Sequence, residues 1–295
     1  MKNEFSSFHP LVCLAFIAAA ATFSLRFSDP ALAAVSLAGA AVSGILLGGR
    51  RAAKFELIFA LPLFVLIAAL NPLLSHEGFT MLFYLDDNPV TLEAAAYGVV
   101  LAAKTTALII WLSCCVWIFT SDKVVWLFGS VFPPLGLFMS MTFRFVPIMC
   151  RRAGETARAQ RGVGMGPRDG NTFERAKNRL RIFSMTLTWL IEQPLGTADA
   201  MKARGFGTGR RTAFSRFRFT ERDALALAFI GASAAVCAAA DFTGTAACQY
   251  YPYFKWTRIT AAYFPALAAY LALSFFPAVF EIKEARRWRL LRSET

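Results

Sequence analysis

The sequence predicts an all-α, polytopic membrane fold: about six transmembrane helices and a cytoplasmic pair of amphipathic helices. Three observations predict it. Of 295 residues, 57% are hydrophobic and only 17% are charged, whereas soluble domains carry about a quarter charged residues. Apolar runs of about 20 residues, the length that crosses a bilayer, recur along the chain. The net charge of +12 is concentrated in one central segment, which fixes an orientation by the positive-inside bias.

The elements follow in order. Lys2 precedes an apolar stretch from Leu11 to Phe23, and Pro30-Ala31-Leu32-Ala33-Ala34 has the small residues of a signal cleavage site. Apolar sequence resumes at once and continues to Leu47, so the reading is an uncleaved first span and a tight hairpin at Ser28-Asp29-Pro30. Spans are expected at 10–27, 30–48, 55–74, 93–119, 222–240 and 258–280. Arg50, Arg51 and Lys54 place the second turn in the cytoplasm. The loop holding His76, Glu77, Asp86 and Asp87 has no Lys or Arg and is placed outside. Segment 121–221 carries 17 Lys and Arg against 7 Asp and Glu and is placed inside. So is the tail with Lys283, Arg286, Arg287, Arg289 and Arg292. The organisation is therefore four N-terminal spans in 1–120, a basic cytoplasmic region in 121–221, and two spans with a basic tail in 222–295. Both termini are cytoplasmic, in a plasma or inner membrane.

Two further apolar stretches, Phe132–Cys150 and Ile182–Thr197, compete as spans. If both crossed, nine Lys and Arg between Arg151 and Arg181 would lie outside, against the bias. Phe138, Met141, Phe145 and Ile148, then Phe183, Leu187, Leu190 and Leu195, recur at helical spacing. They read as amphipathic helices along the inner membrane face or against a partner.

Other residues narrow the chemistry. None of the six cysteines forms a C-x-x-C pair, and the only histidines are His9 and His76, so neither a metal site nor a disulfide framework is expected. No clustered carboxylates or Ser/His/Asp set appears, which argues against a membrane hydrolase or transferase. Lys104 lies within the fourth span, where a charge demands a partner. Arg216-Phe217-Arg218-Phe219, within Arg211–Arg222, reads as an interfacial anchor attracted to anionic lipid, not as a nucleic-acid patch.

The basic region contains a near-repeat. Ala157-Arg-Ala159-Gln-Arg161-Gly162-Val-Gly164-Met-Gly166 is echoed by Ala200-Met-Lys-Ala203-Arg204-Gly205-Phe-Gly207-Thr-Gly209. Each is expected to be a helix ending at the first glycine, which accepts the left-handed cap conformation. The arginine is left at the tip, where its planar fork can engage carboxylate or carbonyl groups of a partner. Two copies suggest two partner surfaces. Neither copy has the Lys-Ser/Thr pair of a P-loop, so the chain itself is expected to bind no nucleotide and to hydrolyse nothing.

Asn71-Pro72-Leu73, Thr91-Leu92-Glu93, Tyr97-Gly98, Phe143-Arg144-Phe145-Val146-Pro147 and the two Arg-Gly elements stand in an order that resembles the transmembrane T component of energy-coupling-factor (ECF) ABC transporters. The resemblance covers most of the chain. It implies ATPase-docking roles for Ala159, Arg161 and Gly162 in the first copy and for Ala203, Arg204 and Gly205 in the second. The second copy matches the family's Ala-Arg-Gly. The first departs, with Gln160 where Ala is expected, which implies a shallower seat. The implied partners are two cytoplasmic ABC ATPases, which hold the ATP and magnesium, and a small membrane subunit that binds a vitamin or metal ion. The lipid bilayer completes the list. Rival readings are a conventional ABC permease domain, a membrane enzyme acting on lipid, and a membrane scaffold without transport role.

Overall fold

The structure, a computed structural model, describes residues 5–75, 78, 80–85, 88–206, 217–251 and 261–293. The acidic loop residues His76, Glu77, Asp86 and Asp87 lie outside the described residues, as do Gly207, Gly209, Arg211 and Arg216. The chain is almost entirely helical and divides into two compact units, Met1–Thr120 with Phe217–Thr295, and Ser121–Arg216.

The first unit contains α1 (Pro10–Arg26), α2 (Pro30–Phe55), a π-helical segment Glu56–Ala60, α3 (Leu61–Leu74), a hairpin of β1 (Met81–Leu85) and β2 (Asn88–Thr91), and α4 (Leu92–Ile118). The second unit supplies α5 (Ser121–Val131), α6 (Pro133–Gly162) and α7 (Thr172–Ala203). The first unit resumes with α8 (Glu221–Phe242), α9 (Tyr263–Ser274) and α10 (Phe276–Ser293). The antiparallel hairpin, Met81 opposite Thr91, is the exception to the expected all-α chain.

Side-chain caps start α1, α2 and α4 close to the expected span boundaries. Asp29 caps α2, its Oδ1 accepting from Ala31 N at 2.8 Å with Pro30 at the first helical position. His9 caps α1 ahead of Pro10. Thr91 Oγ1 caps α4 by accepting from Ala94 N at 3.3 Å. The break between α1 and α2 therefore falls at Ser28-Asp29-Pro30, as expected.

Among the described residues, four helical runs are long and apolar enough to cross a membrane: Pro30–Leu74, Leu92–Ile118, Pro133–Gly162 and Glu221–Phe242. The pair Tyr263–Ser274 and Phe276–Glu284, bent by 44°, makes a fifth if counted as one span. Pro10–Arg26, with 17 residues, is shorter. Two features differ from the six-span expectation. The last span is broken at Phe275 (φ −93°, ψ 2°), because Pro277 has no N–H to continue the hydrogen-bond ladder. Pro133–Gly162, expected to lie on the inner face, also satisfies the length and composition of a span.

Pro30–Leu74 is a 45-residue run that covers the expected second and third spans, and its backbone is helical except at Gly49 (φ 58°, ψ −140°). In a straight helix Gly44 and Glu56 would stand about 18 Å apart. Instead the Glu56 carboxylate lies against Gly44, and a Cβ on Gly48 would meet the Ala52 Cβ at 2.5 Å. The chain therefore doubles back at Gly48-Gly49, and the run is a helical hairpin whose turn carries Arg50 and Arg51. A Cβ on Gly49 would meet no atom within 4 Å, so Gly49→Ala tests backbone strain alone. It is expected to cost about 1–3 kcal/mol, read as a lowered melting temperature in detergent; an unchanged melting temperature would contradict the turn.

The core of this unit gathers Phe5, Phe16, Phe27, Trp111, Tyr270 and Leu273, all essentially inaccessible. Phe5 packs edge-on against Phe16 at 5.3 Å and Phe276 at 6.0 Å. Asp223, at the start of α8, accepts from His9 N at 3.0 Å and Thr220 N at 3.0 Å. The Arg222 guanidinium lies 4.4 Å from the Phe8 ring centre. Arg222, expected in an interfacial anchor, instead stacks on the chain's own aromatic rings. Outside this core, Leu57, Phe59, Leu61, Val65 and Leu66 are more than half exposed. Such a surface is solvated favourably by lipid and poorly by water.

Candidate functional site

The second unit is assembled from its small residues upward. α5 and α6 approach so closely that a Cβ on Gly136 would lie 2.5 Å from the Gly129 Cα. α6 and α7 form an antiparallel hairpin. Arg152 lies over Trp189 at 5.2 Å, and Gln160 Nε2 reaches Met185 Sδ at 3.7 Å. Ile182 and Thr186 are buried, whereas Leu180, Phe183, Ile191 and Leu195 are more than half exposed. Of the expected apolar stripe on α7, Phe183, Leu187 and Leu195 thus face outward, with only Leu190 partly covered. On α6, Met141, Phe145 and Ile148 are half-buried and Phe138 is exposed.

The loop joining the two helices is held by side chains of α7. Asn178 Nδ2 donates to Gly166 O at 3.2 Å, Arg179 Nε to Pro167 O at 3.3 Å, and Arg175 Nε to Gly170 O at 2.9 Å. Asp169 Oδ2 accepts from Gly166 N at 2.8 Å, and Asn171 with Glu174 forms a capping box that starts α7. Two of the arginines, Arg175 and Arg179, are thereby committed to loop carbonyls. Sequence reasoning missed this clamp, because nothing in the pattern pairs an arginine with a carbonyl some dozen residues away.

The residues expected to dock a partner sit at the two helix ends. Ala159, Arg161 and Gly162 are exposed near the end of α6; Ala203, Arg204 and Gly205 are exposed at the end of α7. Among the described residues, neither Arg161 nor Arg204 has an ion-pair partner. Beside Arg204, an open groove runs along α7, lined by Glu192, Gln193, Gly196, Thr197, Ala200 and Met201. Gly196 and Ala200 leave the helix surface low there. Gln160, beside Arg161, contacts Met185, so roughly 28 Å of α7 separates that level from Arg204.

The termini differ from expectation in one respect. α7 ends as anticipated: Arg204 is the cap (φ −83°, ψ 9°), Gly205 is left-handed (φ 75°), and Phe206 N donates to Met201 O at 3.0 Å. α6 does not stop at its first glycine. It runs through Gly162, is capped by Val163 (φ −95°, ψ 6°), and turns at Gly164 (φ 75°). Met165 N then donates to Gln160 O at 2.9 Å. Gly162 is an ordinary helical residue with nothing within 4 Å of a would-be Cβ.

Most other motif residues prove to be packing devices. Asn71 Nδ2 donates to Ala94 O at 3.0 Å, and a Cβ on Gly98 would lie 3.0 Å from the Asn71 Cβ. These residues, 27 apart in sequence, make one contact between α3 and α4. Glu93 is bonded to Thr80, and Tyr97 packs edge-on between Tyr250 and Tyr251 at 5.4 and 5.5 Å. Lys104 Nζ donates to Ser28 Oγ at 3.4 Å, which names a partner in the α1–α2 turn. Among the described residues, no group of three His, Cys, Asp or Glu could hold a metal ion. No protein-family model and no curated protein matches the chain, so the functional reading rests on these residues themselves.

Proposed function

We propose that the chain is the energy-coupling transmembrane subunit of an ECF-type ABC importer. In this reading α1, α2, α3, α4, α8 and the bent α9–α10 pair make six spans with both termini inside. The basic α6–α7 turn then stays on the cytoplasmic side, as the positive-inside bias requires. The observation that carries the proposal is the pair of exposed helix ends bearing Arg161 and Arg204, set apart along one hairpin. Ends separated by roughly 28 Å of α7 suit two separate partner surfaces, as a pair of ABC ATPases would supply. The ATPases hold ATP and magnesium, and this chain has no catalytic role. Their closure moves the α6–α7 hairpin, whose exposed face at Phe183, Leu187, Ile191 and Leu195 grips a small substrate-binding membrane subunit. That subunit carries a vitamin or metal ion.

The test is a mild-detergent pull-down of the tagged full-length chain from native membranes, with co-purifying proteins identified by mass spectrometry. Two ATPase chains, identical or related, and a small apolar subunit are expected. A chain that comes down alone refutes the coupling role and favours a scaffold.

A further inference from the structure

Residues Val124 to Phe143, twenty in a row, hold no charged side chain. Charges resume at once on either side, with Asp122 and Lys123 before the stretch and Arg144 after it. The stretch is not one helix. It is α5 and the start of α6, folded back on one another at Phe132-Pro133. A Cβ on Gly136 would lie 3.5 Å from the Val125 carbonyl oxygen, whereas a straight helix would hold these residues about 16 Å apart. The fold-back puts the charged residues at the far ends of the two arms and leaves the tip apolar.

Val131, Phe132 and Phe138 are each more than half exposed there, and Pro133 and Pro134 are exposed beside them. The polar atoms of the tip need no water. Inside lipid, backbone N–H groups must be satisfied within the protein. Phe132 N donates to Phe128 O at 2.9 Å, and Leu135 N and Gly136 N donate to Phe132 O at 3.0 and 3.1 Å. Pro133 and Pro134 have no N–H to satisfy. Ser130 Oγ donates to Leu127 O at 3.0 Å and Thr142 Oγ1 to Phe138 O at 2.8 Å, so both hydroxyls are used on their own helix.

We propose that the α5–α6 hairpin is a re-entrant membrane anchor, which enters the inner leaflet tip first and takes that leaflet's acyl chains as its partner. A helix lying flat on the membrane keeps a charged face toward water, and neither arm has one between Val124 and Phe143. α5, with 11 residues, reaches roughly 16 Å, about half of the hydrocarbon core. In the six-span topology α4 delivers the chain to the cytoplasmic face just before Ser121, so α5 is too short to carry Pro133 to the outer face. The apolar start of α6 therefore lies in lipid, and its basic remainder from Arg144 onward stays inside.

The test uses the full-length chain alone, in phosphatidylcholine–phosphatidylglycerol vesicles, with the exposed thiol of Cys150 removed by Cys150→Ser. A spin label is attached at Phe132→Cys or at Asp122→Cys, and the chain without an introduced thiol supplies the background. Collisions with oxygen, which partitions into lipid, and with a water-soluble nickel chelate are compared. The oxygen-to-nickel ratio is expected to be several-fold higher at position 132 than at position 122. Equal ratios put the tip in water and overturn the anchor. A label at position 132 that neither reagent reaches is covered by protein, which overturns lipid as the partner. In intact cells, a membrane-impermeant maleimide added outside is expected to leave Phe132→Cys unlabelled; labelling there would mean that α6 crosses, and would overturn both the anchor and the six-span topology. None of these readouts involves an ATPase, so the anchor stands or falls separately from the docking role.

Discussion

On the proposed coupling role, replacing Arg204 with Ala is expected to strip one ATPase from the complex and to abolish coupled uptake. The side chain is exposed at the α7 cap, without an ion-pair partner among the described residues, beside the groove that passes Gly196 and Ala200. Exposed as it is, it contributes little to this chain's own fold, and the main effect should appear in docking. Truncating one member of a buried, hydrogen-bonded charge pair costs about 2–5 kcal/mol, which is roughly a thirtyfold to several-thousandfold loss of affinity. Arg204→Lys should recover only part, because an ammonium keeps the charge but not the planar fork. The check is ATPase affinity of the purified chain together with uptake in cells. Wild-type affinity and uptake in Arg204→Ala would remove the docking role from this end.

The second large effect is expected in the membrane bundle, at the crossing of α2 and α9. A Cβ on Gly39 would lie 2.6 Å from the Ser274 Cβ and 3.2 Å from its carbonyl oxygen. Ser43, one turn further along α2, donates to the same carbonyl at 3.5 Å. Glycine lets two backbones approach within lipid, where helix association depends on close packing and interhelical hydrogen bonds. Gly39→Val must push the helices apart, losing that hydrogen bond and opening the seam beside Tyr270. Overpacking of this kind costs about 1–3 kcal/mol, occasionally more. The expected readout is a clearly lowered melting temperature and reduced recovery from detergent extraction. Gly231→Val, where a Cβ would meet nothing within 4 Å, serves as the tolerant control. Equal stability of the two variants would contradict the crossing.

These predictions separate what was legible in the sequence from what was not. The helix starts were legible, because Asp29-Pro30 and Thr91 carry their capping chemistry within a few residues of the helix they begin. So was the basic character of 121–221, since charge is a property of the letters. The contact joining Asn71 to Gly98 was not: both residues were noticed, but only the packing of α3 on α4 makes them one feature. The partner of Lys104 was hidden for the same reason, since Ser28 lies 76 residues away.

The end of α6 shows the division most sharply. Arg161-Gly162-Val163-Gly164 and Arg204-Gly205-Phe206-Gly207 present the same letters, and either glycine of each could take the left-handed conformation. In α7 the first glycine does; in α6 the second does. After α6 the chain must meet the carbonyl clamp set by Asn178 and Arg179, so the place of the turn depends on residues a helix away. The sequence by itself determined the membrane character, the helix starts and the presence of two basic Arg-Gly ends, because composition and capping are local. The packed structure alone supplied the contact of Glu56 with Gly44, the partner of Lys104 and the glycine at which α6 turns. Each of these depends on which distant surface the backbone must reach.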